Sequence, residues 1–217
     1  MSSVGSKLTF TQHVVAVHDK VHPRMKSDER RQQILEAATT VFGEYGYYGT
    51  TTDQVAKAAG VSQPYVVRMF GTKEKLFLEV LYRALEILLV TFRGALAEES
   101  DVPLGHRLGL AYADLLQDRG LQLSLMHGFV LGSDPKIGPE ARRGFLLVYE
   151  FLRTEAGFSA EQAQEFLARG MLLNTLVGLR MTDEYESSPL AREMLECLLP
   201  EKLDVVLAVG ESTRSTR

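Results

Sequence analysis

Gln54 to Lys75 reads QVAKAAGVSQPYVVRMFGTKEK. Val55, Ala56 and Ala59 recur on one face of a short helix, and the two alanines are small enough to let a second helix cross close by. Gly60 then supplies a left-handed turn residue that a bulkier side chain would strain to adopt. Val61 anchors the turn in the core. Ser62 is placed to cap a third helix, and Pro64 suits its first turn. Phe70-Gly71-Thr72-Lys73 closes that helix and starts a fourth.

Thr50-Thr51-Thr52 precedes the stretch, and a threonine hydroxyl there can cap the second helix, with Asp53 favoured at its positive end. Upstream, Ile34, Leu35, Ala38, Val41 and Phe42 form an apolar stripe at helical spacing. Gly43, Gly46 and Gly49 are expected to end that helix, with Tyr45, Tyr47 and Tyr48 among them. Helices of about 15, 8 and 8 residues, with a four-residue glycine-containing turn between the last two, describe a helix-turn-helix. Downstream, Leu76, Phe77, Val80, Leu81, Ala84, Leu88, Phe92 and Leu96 predict a long fourth helix joining two bodies. Further helices are expected near 103–118, 120–131, 139–156, 159–181 and 189–199, with Ser159 and Gln162 as a capping box. The stretch 203–209 reads as a strand or a last helical turn. The fold class is therefore all-α: a flexible arm (1–25), an N-terminal three-helix helix-turn-helix domain (26–72), a C-terminal helical domain (73–210) and a disordered tail (211–217).

The same stretch resembles the TetR/AcrR family of bacterial transcriptional regulators. Matching positions are Thr51, Val55, Ala56, Ala59, Gly60, Val61, Ser62, Val66, Phe70, Thr72, Lys73 and Leu76, and ILEAATTVFGEYGYYGTT before them is similar to the family's first helix and glycine turn. The likeness is strong over residues 28–81 and elsewhere extends to an all-helical body of the right length. Two positions depart from the pattern. Val67 stands where an aromatic is usual, and Asp53 where many relatives carry a base-reading cation.

Helix geometry puts Gln63, Pro64, Tyr65 and Arg68 on the outer, N-terminal part of the third helix, where a major groove would meet them. Gln63 suits adenine, Arg68 guanine or a phosphate, and Tyr65 a thymine methyl or a phosphate. Lys73, beside exposed N–H groups at the fourth helix's start, suits a phosphate. Thr51 and Thr52 are assigned to phosphates as well. The tyrosines read first as packing, with the Tyr48 hydroxyl as a further phosphate donor. A helix-turn-helix can also serve packing or protein contact alone, and that alternative stands beside the DNA reading.

Net charge is −4, but Lys20–Lys75 holds nine basic and six acidic residues against 15 and 22 in the remainder. A basic head on an acidic body fits a chain that meets phosphates at one end. The single cysteine, Cys197, excludes an internal disulfide and a thiolate cluster and points to a reducing, cytoplasmic setting. No apolar run reaches the roughly 18–20 residues a membrane helix needs. No P-loop, G-x-G-x-x-G, H-E-x-x-H, nucleophile–base pair or paired carboxylate is present, so an enzyme is not expected, nor a metal or cofactor.

For the body, the resemblance implies a pocket for a small-molecule effector, a homodimer built from the helices near 159–199, and a palindromic double-stranded DNA operator from which the effector releases a repressor. Polar groups set among apolar ones nominate Met126, His127, Phe129, Phe145, Tyr149 and Asn174 for the pocket. Met, Phe and Leu suit a hydrophobic molecule, though they describe any helical core equally. Gly170, Asn174, Thr175 and Gly178 would permit close helix approach at a dimer interface, or internal packing.

Overall fold

The computed structural model describes the backbone of residues 10–198 and 200–211 and the side chains of residues 27–198 and 200–208. Among them lie ten α-helices, two 3-10 turns and no strand. The helices are α1 (Phe10–Gly49), α2 (Thr52–Ala58), α3 (Gln63–Phe70), α4 (Lys73–Ala97), α5 (Leu104–Leu115), α6 (Arg119–Val130), α7 (Ile137–Thr154), α8 (Ala160–Gly178), α9 (Pro189–Leu198) and α10 (Leu203–Glu211). The 203–209 stretch is thus helical. None of these helices is long and apolar enough to cross a membrane.

Helix α1 starts inside the expected arm, so backbone 10–25 is helical there rather than irregular. Once a turn is nucleated each added residue gains a hydrogen bond, and an amphipathic period is needed for packing but not for the helical backbone itself. Residues 1–9 of that arm, and 212–217 of the expected tail, lie outside the described residues. Gly43 does not end α1. The break falls at Gly46, whose φ of 69° departs from the helix. Gly43 instead lies buried against Gly120 of α6, where a Cβ would stand 2.8 Å from the Gly120 Cα. Its missing side chain lets two backbones touch.

The head closes round Ile34, Ala38, Phe42, Val55, Ala56, Val66, Leu76 and Phe77, all of them at most 1 % exposed. Thr51 caps α2 and Gln54 answers it, completing a capping box. At the other end of α2, Gly60 (φ 64°) donates to Lys57 O, and Val61 N donates to Ala56 O. These two bonds make a Schellman motif, which places the turn. Gln33 of α1 donates to the Ala59 carbonyl, tying the turn to the first helix. Ser62 precedes α3 with extended backbone but its hydroxyl makes no cap bond. The neighbouring Pro64 brings no N–H to the helix's first turn, which leaves less there for a cap to satisfy.

In the body, α5, α6 and α7 pack on the long α4, α8 packs on those three, and α10 on α5 and α8, while α6 joins body to head. On α6, Gly120, Ser124 and His127 face α1: Ser124 Oγ donates to Thr39 O, and the His127 ring lies about 3.1 Å from where a Gly46 Cβ would be. Helix α7 is fastened to α4 near both its ends. Tyr82 donates to Glu140, and Arg93 makes a two-pronged pair with Glu155 at 2.7 and 2.8 Å. The expected box at α8 is present, with Ser159 and Gln162 satisfying each other's backbone N–H groups.

Candidate nucleic-acid interface and ligand cavity

Buried Val66 and Phe70 pull one side of α3 into the head, leaving Gln63, Pro64, Val67 and Arg68 on the exposed side. Positions 63/67 and 64/68 are each four apart, so all four share one face. Tyr65 is half-buried at its edge, and the Arg68 guanidinium stacks 4.8 Å over the Tyr65 ring. Gln63 Nε2 donates to the Thr52 hydroxyl at 3.1 Å, which fixes the amide across the α2–α3 turn. An amide has two N–H donors and an acceptor oxygen. Gln63 therefore keeps one N–H and its Oε1 for a further partner.

The threonines are not equivalent. Thr51 Oγ1 accepts from Gln54 N and donates to Gln54 Oε1, so its proton serves the cap. Thr52 only accepts in its bond to Gln63, leaving its O–H to donate outward. Lys73 turns inward. Its ammonium donates to the Tyr47 and Thr50 carbonyls at 2.9 and 3.0 Å and sits 4.6 Å over the Tyr47 ring. Two of its three N–H groups thereby strap the start of α4 to the turn that precedes α2. Tyr47 packs with Phe42 and Phe77, and desolvation holds its hydroxyl above the usual tyrosine range. Tyr48 is 78 % exposed, with its ring edge against Tyr47.

Residues that the linear reading passed over also border this face. Glu29, Arg30 and Gln33 of α1 line a shallow cleft with Gly60, Ser62 and Tyr65. Their i, i+3 and i+4 spacing marks an outer helix face, but only the packed head shows that the face adjoins α3. Lys57 is exposed on α2 and paired with Asp53 at 2.8 Å; hydrogen bonding to that carboxylate raises the lysine above its ordinary pKa.

In the body, α4, α5, α6, α7 and α8 surround a narrow cavity of about 110 Å³ that opens to solvent. Its wall is almost wholly apolar: Leu85, Leu88, Phe92, Leu125, Val148 and Phe166 are typical. Of the sequence candidates, Phe129, Phe145 and Asn174 line it, and Met126, His127 and Tyr149 do not. A helix turns about 100° per residue, so neighbours on α6 divide between faces: Phe129 meets the cavity while His127 meets α1. Tyr149 is committed instead to the apolar cluster round Phe92 and Phe151. Tyr112, missed in the sequence, contributes a phenol that donates to Asn174 Oδ1, and burial pushes its pKa up to about 12.

Residues 34–80 match the family model for bacterial regulatory proteins of the tetR family. The transcriptional activator FasR of Mycolicibacterium smegmatis is 30 % identical over 148 residues, which cover 65 % of this chain and 67 % of that protein. The chain belongs to the TetR family. It is accordingly a DNA-binding, helix-turn-helix transcriptional regulator, and α2, the turn and α3 are its helix-turn-helix. Likeness to the regulator HbdR of Aromatoleum sp. is 42 % over 65 residues, covering 30 % of this chain and 27 % of that protein. Beyond the head, likeness is carried by structure: the multidrug binding protein EbrR, solved with imidazole, superposes with a TM-score of 0.52 at 27 % identity over 79 % of this chain and 90 % of that one.

Proposed function

We propose that this TetR regulator is a homodimeric cytoplasmic repressor, seated on a palindromic operator by α3 and released when a small molecule occupies the α4–α8 cavity. The observation that carries the reading is the double duty of α4 and α6. Both line the cavity, and both hold the head, α4 through Lys73 and α6 through the Gly43–Gly120 crossing. A ligand that favours one tilt of these helices thereby favours one placement of α3. EbrR, described as a multidrug binding protein, supports a small molecule as effector.

On DNA, the remaining Gln63 N–H and Oε1 form a bidentate pair suited to adenine N7 and N6. Pro64, Tyr65 and Arg68 meet neighbouring base edges, and Thr52, Tyr48 and the third N–H of Lys73 take phosphates, while the Thr51 hydroxyl stays with the α2 cap. Dimerisation uses the 159–199 region: Leu172 of α8, Leu179 just after it, and Leu190 and Met194 of α9 are exposed, as is Leu146 of α7. Exposed apolar side chains in such number mark an association surface.

Gel shifts on a selected operator test the reading. Gln63→Ala, Tyr65→Ala and Arg68→Ala are each expected to weaken binding about tenfold or more. Unchanged affinity in all three sinks the assignment of α3. Sedimentation of Leu172→Arg is expected to show monomer. The name of FasR as an activator favours a second reading, with the same DNA and ligand sites but the opposite sign on transcription. A promoter–reporter fusion with the chain present or deleted separates the two.

A further inference from the structure

The polar groups of the cavity lie at two ends. Tyr82 and Phe92 both line it from α4, and ten residues of helix separate them by about 15 Å. At the Tyr82 end the charged lining residues are Arg143 and Glu140, paired with each other at 2.7 Å and joined by the Tyr82 hydroxyl. At the Phe92 end stands Tyr112, its ring 6.2 Å from that of Phe92, with Asn174 bonded to its hydroxyl.

Asn174 is 7 % exposed, and its two amide atoms are unequally satisfied. Oδ1 accepts from Tyr112 at 2.5 Å, whereas Nδ2 has only the Met171 thioether at 4.0 Å. The buried phenol keeps its proton at every ordinary pH, so it stays a donor and holds the amide with its N–H2 group available. A buried donor without a good acceptor is costly to leave and favourable to fill. No cation lines this end, since Arg143 is committed to Glu140 at the other, so a carboxylate brought here would be desolvated without a counter-charge.

We infer that the effector is an elongated, apolar molecule bearing one uncharged hydrogen-bond acceptor, a ketone, ester or amide carbonyl, which the Asn174 amide recognises and Tyr112 positions that amide to meet. The inference rests on the effector role proposed for the cavity. The apolar chain lies along α4 between Phe92 and Tyr82, and the carbonyl selects its orientation.

Calorimetric titration of the full chain with a medium-chain methyl ketone, the terminal alkene of the same length and the corresponding fatty acid tests this. The ketone is expected to bind about tenfold more tightly than the alkene, the worth of one net hydrogen bond. The fatty acid is expected to bind more weakly than the ketone at neutral pH. Asn174→Leu should erase the ketone's advantage while keeping alkene affinity, and Tyr112→Phe should reduce it. In the infrared, the bound ketone's carbonyl stretch should fall in wild type, recover in Asn174→Leu and recover partly in Tyr112→Phe. If Asn174→Leu fails to fold, the wild-type ranking and Tyr112→Phe still decide. Equal affinity for ketone and alkene, or tightest binding by the fatty acid, overturns the role of Asn174 and leaves the cavity reading intact. Binding of none of the three overturns both.

Discussion

Around Phe42 the N-terminal helices close on one another, whereas around Phe92 a similar aromatic cluster leaves space beside it. Phe42 is fully buried with Phe77 at 4.9 Å and Tyr47 at 6.4 Å between ring centroids. Phe92 is equally hidden among Phe151, Phe166 and Tyr112, yet it forms part of the cavity wall. The difference lies in what surrounds the rings. In the head, Ala38, Ala56 and Ala59 bring backbones together, and a capping box and a Schellman turn fix the two ends of α2 locally. In the body, large side chains on five helices meet without filling the centre. Empty apolar space forgoes dispersion contacts that a ligand can restore. The head closes on one packed shape, and the body leaves the space that the proposed effector would fill.

The largest expected effect comes from breaking the seam between the two. Gly43→Leu forces a side chain into the Gly120 backbone and is expected to cost about 3 kcal/mol in urea unfolding. A change of that size accompanied by two separate transitions would show that the crossing couples head to body. Next, Lys73→Met removes the strap on Tyr47 and Thr50 and should cost about 2 kcal/mol, because two part-buried carbonyls lose a charged donor. If Lys73 served phosphate alone, stability would be unchanged and only DNA affinity would drop. Thr51→Ala should cost about 1 kcal/mol through its cap, while Ser62→Ala, with no cap bond to lose, should cost close to nothing. Equal losses would mean that the two helix starts in the head are supported alike.

The smallest effect belongs to the body. The Arg93 guanidinium holds the Glu155 carboxyl below the ordinary carboxylate range. A carboxylate lowered in the folded state contributes stability that is present above its unfolded pKa and lost as pH falls through the folded one. Glu155→Gln should therefore flatten the acid side of the stability profile slightly, since both partners are substantially exposed. Chemical denaturation at a series of acid pH values measures it.

How much of this was legible in sequence follows the same division. Val55, Ala56, Ala59, Gly60 and Val61 declared the turn because each acts over four or five residues, and the Ser159–Gln162 box was readable for the same reason. Gly43 was misread as a stop because a helix-ending glycine and a glycine at a helix crossing look identical until the partner, Gly120, is known. Lys73 was read as facing out because its carbonyl partners lie 23 and 26 residues earlier. In the cavity, Asn174 was found as a polar residue in apolar company, but Tyr112 was not. Its significance exists only through the long-range bond between α5 and α8.

The length of α4 has a consequence for register. Its 25 residues extend about 37 Å. Pivoting such a rod by only about 5° about its far end carries Lys73 and the adjoining α3 sideways by about 3 Å, close to the rise of one base pair. In the proposed dimer both rods would swing, so a displacement too small to disturb the packing of either subunit shifts the two reading helices by up to two base-pair steps relative to each other. The proposed palindromic operator would thus act as a vernier against which a minor adjustment at the cavity is measured.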